Sequence, residues 1–260
     1  VKIIALDLDK TLLHNNGDVS KYSLNILKKC QEYGILVAIA TARSEFSAKK
    51  YVELINPDIV ITSGGAVARV GEKILHKALI SQTMVNSIIK DGLSHPSVEC
   101  IRIMGEKHEL SNNTNVPKGK KDYGHYDYSD LSEPLKEAAW KIQFETKDIS
   151  FLQKIQRKYP ECTLVSYVNE NLHKLANVKA NKRDAMLSVC DYYKIKMENV
   201  AAFGDDSSDY ELLVAAGYGV VVENGITKVK DIADYISESN ENDGVAKFIE
   251  TNILKVKIDV

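Results

Sequence analysis

The chain begins with an apolar, β-branched run that ends in two carboxylates. Residues 1–6 read VKIIAL, and Asp7, Asp9 and Thr11 follow directly. Such a run predicts a buried strand, and strand alternation would direct Asp7 and Asp9 to the same side. Two carboxylates held together need a cation or a shared proton, because like charges disfavour joint ionisation. The pattern predicts a metal-assisted site in which one carboxylate attacks and the other moves a proton.

An ordinary polar loop after a strand and a calcium-binding loop are the alternative interpretations of this acidic segment. The EF-hand loop carries Gly at its sixth position and follows a helix. This chain has Leu12 at that position, and a predicted strand precedes the segment. We therefore favour the catalytic interpretation.

Length, charge and cysteine usage limit the class of protein. The 260 residues suffice for one large domain or two smaller ones, and 44% hydrophobic with 27% charged residues is ordinary for a globular protein. A formal net charge of −2 gives no overall excess of positive charge that would attract nucleic acid or an anionic membrane. No apolar stretch approaches the ~20 residues of a membrane helix, and the scattered cysteines fit a reducing compartment. We expect a cytoplasmic monomer or weak homodimer without nucleic-acid or membrane partners.

Apolar strand-like runs alternate with helical stretches at both ends of the chain. The first 80 residues contain three such runs, and the alternation returns from Lys182 onwards. Strands that alternate with helices indicate a parallel sheet with helices on both faces. The predicted fold class is therefore α/β, with a Rossmann-like core formed by residues 1–80 and 180–260.

The middle of the chain follows a different pattern. Residues 99–104 and 140–145 alternate apolar and polar side chains, as half-buried strands do. An antiparallel sheet with helices on one face fits this pattern. We interpret residues 81–179 as an inserted second domain of the α+β type.

Polar side chains follow several strands of the predicted core. In open α/β sheets the ligand crevice lies outside the carboxyl ends of the strands, where these groups would converge. Thr41 follows the second strand, and its hydroxyl with the next backbone N–H groups could hold an oxyanion. The other candidates in the core are Asp7 and Asp9, Lys182, and the group Asp205, Asp206 and Asp209.

At these residues the chain resembles the haloacid dehalogenase-like superfamily of phosphohydrolases, which use an aspartate nucleophile. The resemblance covers nearly the whole chain. The position of the insert is similar to that of the α/β cap in the Cof-type branch, which implies that residues 81–179 form an α+β cap domain over the Rossmann-like core. The matching motifs are D-x-D-x-T at Asp7, Asp9 and Thr11, a hydroxyl at Thr41, a lysine at Lys182, and G-D-x-x-x-D at Gly204, Asp205 and Asp209.

The chain departs from the family pattern at four positions. Family members often carry Gly where Lys10 and Ala42 stand, and Asn where Gly64 and Ser208 stand. None of these changes removes a charged catalytic group. They bear on rate and specificity more than on reaction type.

The resemblance implies a Mg²⁺-dependent phosphatase that hydrolyses a small soluble phosphate monoester through an aspartyl-phosphate. Asp7 would be the nucleophile and Asp9 the proton donor and acceptor. The implied Mg²⁺ ligands are Asp7, the backbone carbonyl of Asp9, and Asp205. The implied phosphate-binding residues are Thr41, Ala42 and Lys182, and the supporting residues are Asp209, Asp206, Arg43 and Asn224.

Two other functions fit the same residues. A phosphomutase or phosphotransferase would pass the phosphoryl group to a sugar instead of water. A metabolite-binding protein with attenuated catalysis would retain the fold but not the turnover.

Overall fold

The computed structural model describes residues 1–117, 119–123, 125–166 and 171–254. The chain divides into two compact units, one formed by Val1–Lys77 with Lys179–Val260 and the other by Ala78–Val178. The second unit is thus an insertion in the sequence of the first. The assignment of the two units as catalytic core and cap stays a prediction.

The N-terminal part of the first unit alternates strands with helices and then adds an antiparallel hairpin. Its elements are β1 (Ile3–Leu6), α1 (Lys21–Glu32), β2 (Leu36–Ala40), α2 (Glu45–Ile55), β3 (Ile59–Thr62), β4 (Val67–Val70) and β5 (Lys73–Lys77). The hairpin of β4 and β5 is absent from the sequence-based prediction. Only the first half of β4 is buried and β5 is largely exposed, so they lack the apolar signal of the buried strands.

The described residues of the second unit form a six-stranded sheet with two helices. Its elements are α3 (Gln82–Leu93), β6 (Val98–Gly105), β7 (Glu109–Ser111), β8 (Asp127–Tyr128), β9 (Ala139–Thr146), α4 (Ile149–Lys158), β10 (Cys162–Ser166) and β11 (Leu172–Asn177). The strand order is β10-β11-β9-β6-β7-β8, antiparallel except for the parallel pair β7 and β8. Side chains from β6 and β9 form one core with both helices.

The C-terminal part returns to the first unit. Its elements are α5 (Lys182–Tyr193), β12 (Val200–Gly204), α6 (Tyr210–Ala215), β13 (Tyr218–Val222), α7 (Thr227–Lys230), β14 (Tyr235–Ser237) and α8 (Gly244–Ile249). A π-helical turn over Glu250–Leu254 follows. Within the described ranges, no helix has the length and apolarity to cross a membrane.

Helix starts are defined by side-chain caps. Ser20, Ser44, Ser81, Asp148 and Asn181 each accept the backbone N–H of the residue three positions later. Such a bond satisfies one of the free N–H groups in the first turn and typically contributes about 1 kcal/mol. These caps fix where α1 to α5 begin.

The sheet of the first unit has a switch point beside β1. Its order is β14-β13-β12-β1-β2-β3-β4-β5, and the strands from β14 to β3 are parallel. Two buried clusters cover its faces, one around Leu6 and Phe203 and the other around Ile3 and Val200. The predicted α/β fold class is confirmed. Chain order reverses at β1, so the carboxyl ends of β1 and β12 border the crevice where ligands bind in such sheets.

Candidate active site

The backbone turns sharply as soon as β1 ends. Leu13 donates its backbone N–H to the carbonyl of Leu8 at 2.8 Å, and Lys10 has a φ of 59°, in the left-handed region. The alternation expected of a continuous strand therefore does not apply to Asp7 and Asp9. Asp7 is buried, whereas the side chain of Asp9 is 53% exposed.

Lys182 joins two buried carboxylates at the carboxyl edge of the sheet. Its Nζ donates to Oδ1 of Asp7 and to Oδ1 of Asp209, both at 2.6 Å. Lys182 is the first residue of α5, and Asn181 caps that helix by accepting the N–H of Asp184. The cap fixes the start of the helix and thereby the direction in which the lysine leaves it.

Asp209 is held by the loop that follows β12. Its Oδ2 accepts the backbone N–H of Asp205 at 3.1 Å and that of Asp206 at 3.3 Å. Gly204 lies directly against it, because a Cβ at this position would come within 2.4 Å of the Asp209 Cγ. Both oxygens of Asp209 are engaged, which favours the supporting role predicted for it.

The electrostatics of Asp205 reflect a surplus of negative charge. The pKa of Asp205 is raised to about 7, first by burial and then by the neighbouring carboxylates of Asp209 and Asp206. Thr11 donates its hydroxyl to Oδ1 of Asp205 at 3.1 Å, which offsets only part of the effect. A cation bound at this carboxylate would favour its ionised form.

For both Asp7 and Lys182, burial and the charge of the partner shift the pKa in opposite directions. Burial raises the pKa of Asp7, Lys182 lowers it, and the net pKa lies well above the usual range for an aspartate. Burial lowers the pKa of Lys182, but the carboxylates of Asp209 and Asp7 outweigh it and the net pKa is raised. Lys182 is therefore a fixed positive charge beside Asp7.

Gly65 lets the loop after β3 approach the helix that carries Lys182. It has a φ of 94°, and a Cβ there would lie 2.1 Å from the carbonyl carbon of Asn181 and 2.5 Å from the backbone nitrogen of Lys182. Only glycine fits such an approach in this conformation. Sequence reasoning missed this role, although a glycine pair directly after a buried strand was a visible signal.

Asp9 forms a two-bond ion pair with Arg43. The guanidinium donates from Nε to Oδ2 of Asp9 at 2.8 Å and from Nη2 to Oδ1 at 2.6 Å. Thr41 is fully buried, and its Oγ1 accepts the backbone N–H of Arg43 at 3.1 Å. Ala42 is exposed between them, and the N-cap of α2 is Ser44.

Two of the predicted supporting residues contact the protein backbone. Asn224 donates to the carbonyl of Lys10 at 2.7 Å and accepts the N–H of Asn240 at 2.9 Å, which tethers the turn after β1. Asp206 is exposed, and its Oδ1 accepts the N–H and the hydroxyl of Ser208, both at 2.7 Å. Sequence reasoning did not assign Asn240 to the site, because its role depends on contacts distant in sequence.

Three buried carboxylates in the described part of the chain could hold a metal ion. Asp7, Asp205 and Asp209 each offer one oxygen, and these atoms lie within 4.8 Å of one another. Carboxylate oxygens suit hard divalent cations such as Mg²⁺. Lys182 supplies a single positive charge to this group, so the donor set and its charge both fit a divalent cation. The predicted set had the backbone carbonyl of Asp9 where this group has Asp209.

The parallel sheet and the aspartates at its switch point fit the class of α/β enzymes that bind their ligand at the carboxyl edge of the strands. The family model for haloacid dehalogenase-like hydrolases matches residues 4–249. The chain therefore belongs to the haloacid dehalogenase-like hydrolase family.

Relatives and solved structures match along nearly the whole chain. Phosphatase YwpJ of Bacillus subtilis is 28% identical over an alignment of 283 positions that covers 96% of this chain and 99% of YwpJ. The 5-amino-6-(5-phospho-D-ribitylamino)uracil phosphatase YitU of the same organism is 28% identical over an alignment of 274 positions that covers 95% of this chain and 96% of YitU. The solved structure of the subclass IIB sugar phosphatase BT4131 has a TM-score of 0.77 at 21% identity, with 96% and 98% covered, and shows likeness of fold. The predicted family and the enzyme class, phosphatase, are confirmed.

Proposed function

We propose that the chain is a magnesium-dependent phosphatase that hydrolyses a small phosphate monoester through a phosphoaspartate on Asp7. The observation that supports this most strongly is the Lys182 ammonium held between Asp7 and Asp209, at 2.6 Å from each. Oδ1 of Asp7 is bound to this lysine, whereas Oδ2 accepts no hydrogen bond from the described residues. That second oxygen is available to attack phosphorus.

The metal would be held by Asp7, Asp205 and the backbone carbonyl of Asp9. When bound, it would offset the negative charges of carboxylate and phosphate, which otherwise repel each other. Lys182 would neutralise the phosphoryl oxygens together with the hydroxyl of Thr41 and the backbone N–H of Ala42. The buried carboxylates with raised pKa values fit a site completed by a cation.

The reaction would proceed in two displacements. Asp7 attacks phosphorus, the bond to the leaving oxygen breaks, and Asp9 donates its proton to that oxygen. Asp9 then accepts a proton from water, whose oxygen attacks the phosphoaspartate. Inorganic phosphate leaves, Asp7 is again a carboxylate, and Asp9 is again protonated.

The substrate class follows from what the named relatives share. YitU is named for a phosphoribityl compound, and the solved structure is that of a sugar phosphatase. Both names describe a phosphate ester on a polyhydroxylated carbon chain. We therefore propose a small sugar or polyol phosphate as the substrate class of this chain.

The first test is hydrolysis of p-nitrophenyl phosphate and a panel of sugar and polyol phosphates. We expect turnover with Mg²⁺, none with EDTA, and none with Asp7→Asn. Asp231→Asn is the matched control, because it removes an exposed carboxylate in the same unit. A phosphorylated protein should be detected by mass spectrometry after rapid quenching of the wild type. Turnover by Asp7→Asn at the wild-type rate would contradict the proposal.

A further inference from the structure

A series of contacts runs from a buried tyrosine to the Asp9 carboxylate. Tyr51 on α2 is 3% exposed, and its hydroxyl donates to the carbonyl of Gly17 at 3.1 Å. The guanidinium carbon of Arg43 lies 4.9 Å from the centre of the Tyr51 ring. The same guanidinium bonds both oxygens of Asp9.

The backbone of Arg43 is fixed as well as its side chain. Its N–H donates to Oγ1 of Thr41 at 3.1 Å, and its carbonyl accepts the N–H of Ser63 at 2.7 Å. Exposed ion pairs usually contribute little, because two long side chains must be ordered in one geometry. Here the backbone contacts and the aromatic ring have already ordered the arginine, so the ion pair can define the direction of Asp9.

We propose that Tyr51 and Arg43 form a positioning device for the Asp9 carboxylate, the proton-transfer group of the reaction. The inference rests on the proposed function. Tyr51 acts on Arg43, and Arg43 acts on Asp9, so both are positioning residues. The device gives an otherwise exposed carboxylate one orientation.

Arginine suits this role for a chemical reason. A carboxylate has about four lone-pair directions, and the two-bond contact with Arg43 uses one on each oxygen. The remaining directions can exchange a proton with a leaving oxygen or a water molecule. Lysine offers a single charged nitrogen without the planar fork and would not fix both oxygens.

Leaving-group dependence tests the proposal. The alcohol of glycerol phosphate needs a proton as it leaves, whereas p-nitrophenolate leaves without one. Arg43→Ala should lower kcat/KM for glycerol phosphate by about 10-fold to 100-fold, because misplacing Asp9 should lose only part of the roughly 100-fold to 10,000-fold that general acid catalysis contributes. For p-nitrophenyl phosphate we expect a loss below about 3-fold, because that substrate bypasses general acid catalysis. Arg69→Ala is the matched control, since Arg69 pairs with Glu45 in the same unit at 2.8 Å.

Two further readouts separate positioning from a general structural role. Added guanidinium at millimolar concentration should restore part of the glycerol phosphate activity of Arg43→Ala, and Arg43→Lys should not regain the wild-type rate. In an Asp9→Ala background, Arg43→Ala should add little further loss, because the two residues act as one unit.

The tyrosine has its own pair of variants. Tyr51→Phe retains the ring beneath Arg43 and should preserve the wild-type ratio between the two substrates. Tyr51→Leu removes the ring and should shift the ratio in the same direction as Arg43→Ala. The arginine variants keep the test decisive if the leucine variant does not fold.

The outcomes distinguish this inference from the proposed function. If Asp7→Asn is inactive and Arg43→Ala lowers kcat/KM equally for both substrates, the positioning role alone is overturned. The same holds if the losses of Asp9→Ala and Arg43→Ala are independent. If Asp7→Asn retains full activity, both proposals are overturned.

Discussion

Asp205 combines a cost in stability with a proposed role in metal binding. Its pKa is about 7 in the folded chain against 3.8 as the ordinary value, mainly because it is buried. Between these values the folded state binds more protons than the unfolded state, so the stability of the metal-free protein falls as pH rises. The stabilisation from protonation is fully present below about pH 4 and is lost as pH rises through about 7.

We expect Asp205→Asn to stabilise the metal-free protein at pH 8 by up to about 4 kcal/mol, and by much less at pH 4. The amide cannot ionise, so the penalty of a buried charge disappears. Thermal unfolding in EDTA at both values of pH measures the difference, with Asp231→Asn as the control. An equal stabilisation by Asp205→Asn at pH 4 and at pH 8 would show that ionisation of the Asp205 carboxylate is not the source of the effect. The same variant should lose stabilisation by Mg²⁺.

In contrast to Asp205→Asn, Lys182→Met should destabilise the metal-free protein. The change leaves the carboxylates of Asp7 and Asp209 buried without their cation, and breaking a buried pair typically costs about 3–5 kcal/mol. Urea unfolding of the metal-free protein gives the value, and Lys29→Met, on the exposed face of α1, is the control. Addition of Asp209→Asn to the Lys182 variant should recover part of the loss. No recovery would mean that the cost arises from packing rather than charge.

Individual residues were predictable where their chemistry depends on a strand end. The strand pattern placed Asp7, Asp205 and Lys182 at one edge of the sheet, and the structure brings them together. The contact of Asp9 with Arg43 was not predictable, because it depends on the turn at Lys10 and not on strand alternation. In the sequence this position is a lysine, which does not signal the positive φ that the turn requires.

At the scale of elements, Gly65 determines how closely the loop after β3 packs against α5. Gly65→Ala should destabilise the fold and lower kcat, because its Cβ would collide with the backbone of Asn181 and displace Lys182. Gly34→Ala has a similar φ of 73° but no heavy atom within 4 Å of the added Cβ. Gly34→Ala is therefore the control, and it should lose only the cost of placing a Cβ in a left-handed backbone conformation, about 1–2 kcal/mol.

Thermal unfolding and kcat on p-nitrophenyl phosphate distinguish the two glycine variants. We expect the control to retain its wild-type kcat, and Gly65→Ala to lose at least about 10-fold, because small misplacements of catalytic groups reduce rates strongly. Equal behaviour of the two variants would show that the close approach does not position Lys182.

Buried strands were easier to predict from the sequence than partly exposed ones. Strands buried on both faces, such as β1, β2 and β12, appear in the sequence as continuous apolar runs. The hairpin of β4 and β5 carries mixed residues because part of it faces water, so its periodicity is weak. A two-residue turn at Gly71 was the local signal for it.

At the scale of the whole molecule, the two units have separate hydrophobic cores. The clusters around Leu6 and around Ile3 contain residues of the first unit alone, and the cluster around Phe144 contains residues of the second unit alone. The change from continuous to alternating apolar patterns predicted an insertion. The sequence could not predict how the two parts of the first unit meet where the insertion begins and ends, because that depends on contacts between residues distant in sequence.

The chain ends of the first unit at the insertion lie close together. Nε2 of His76 is 3.0 Å from the carbonyl oxygen of Lys179, and Nδ1 contacts the Ser188 hydroxyl at 3.2 Å. A short linker can therefore replace the second unit without stretching β5 or α5. All the residues proposed to bind the metal also lie in the first unit.

We expect a variant in which a short Gly-Ser linker replaces Ala78–Val178 to fold cooperatively and to be stabilised by Mg²⁺. The urea m-value should be smaller than that of the full chain, because less surface is exposed on unfolding. Circular dichroism with urea, in Mg²⁺ and in EDTA, measures both effects, and the linker variant with Asp205→Asn is the control for the metal. A linker variant without a cooperative transition would show that the first unit needs the second to fold. A cooperative transition without a magnesium effect would show instead that the carboxylates of the first unit are not sufficient to bind the ion.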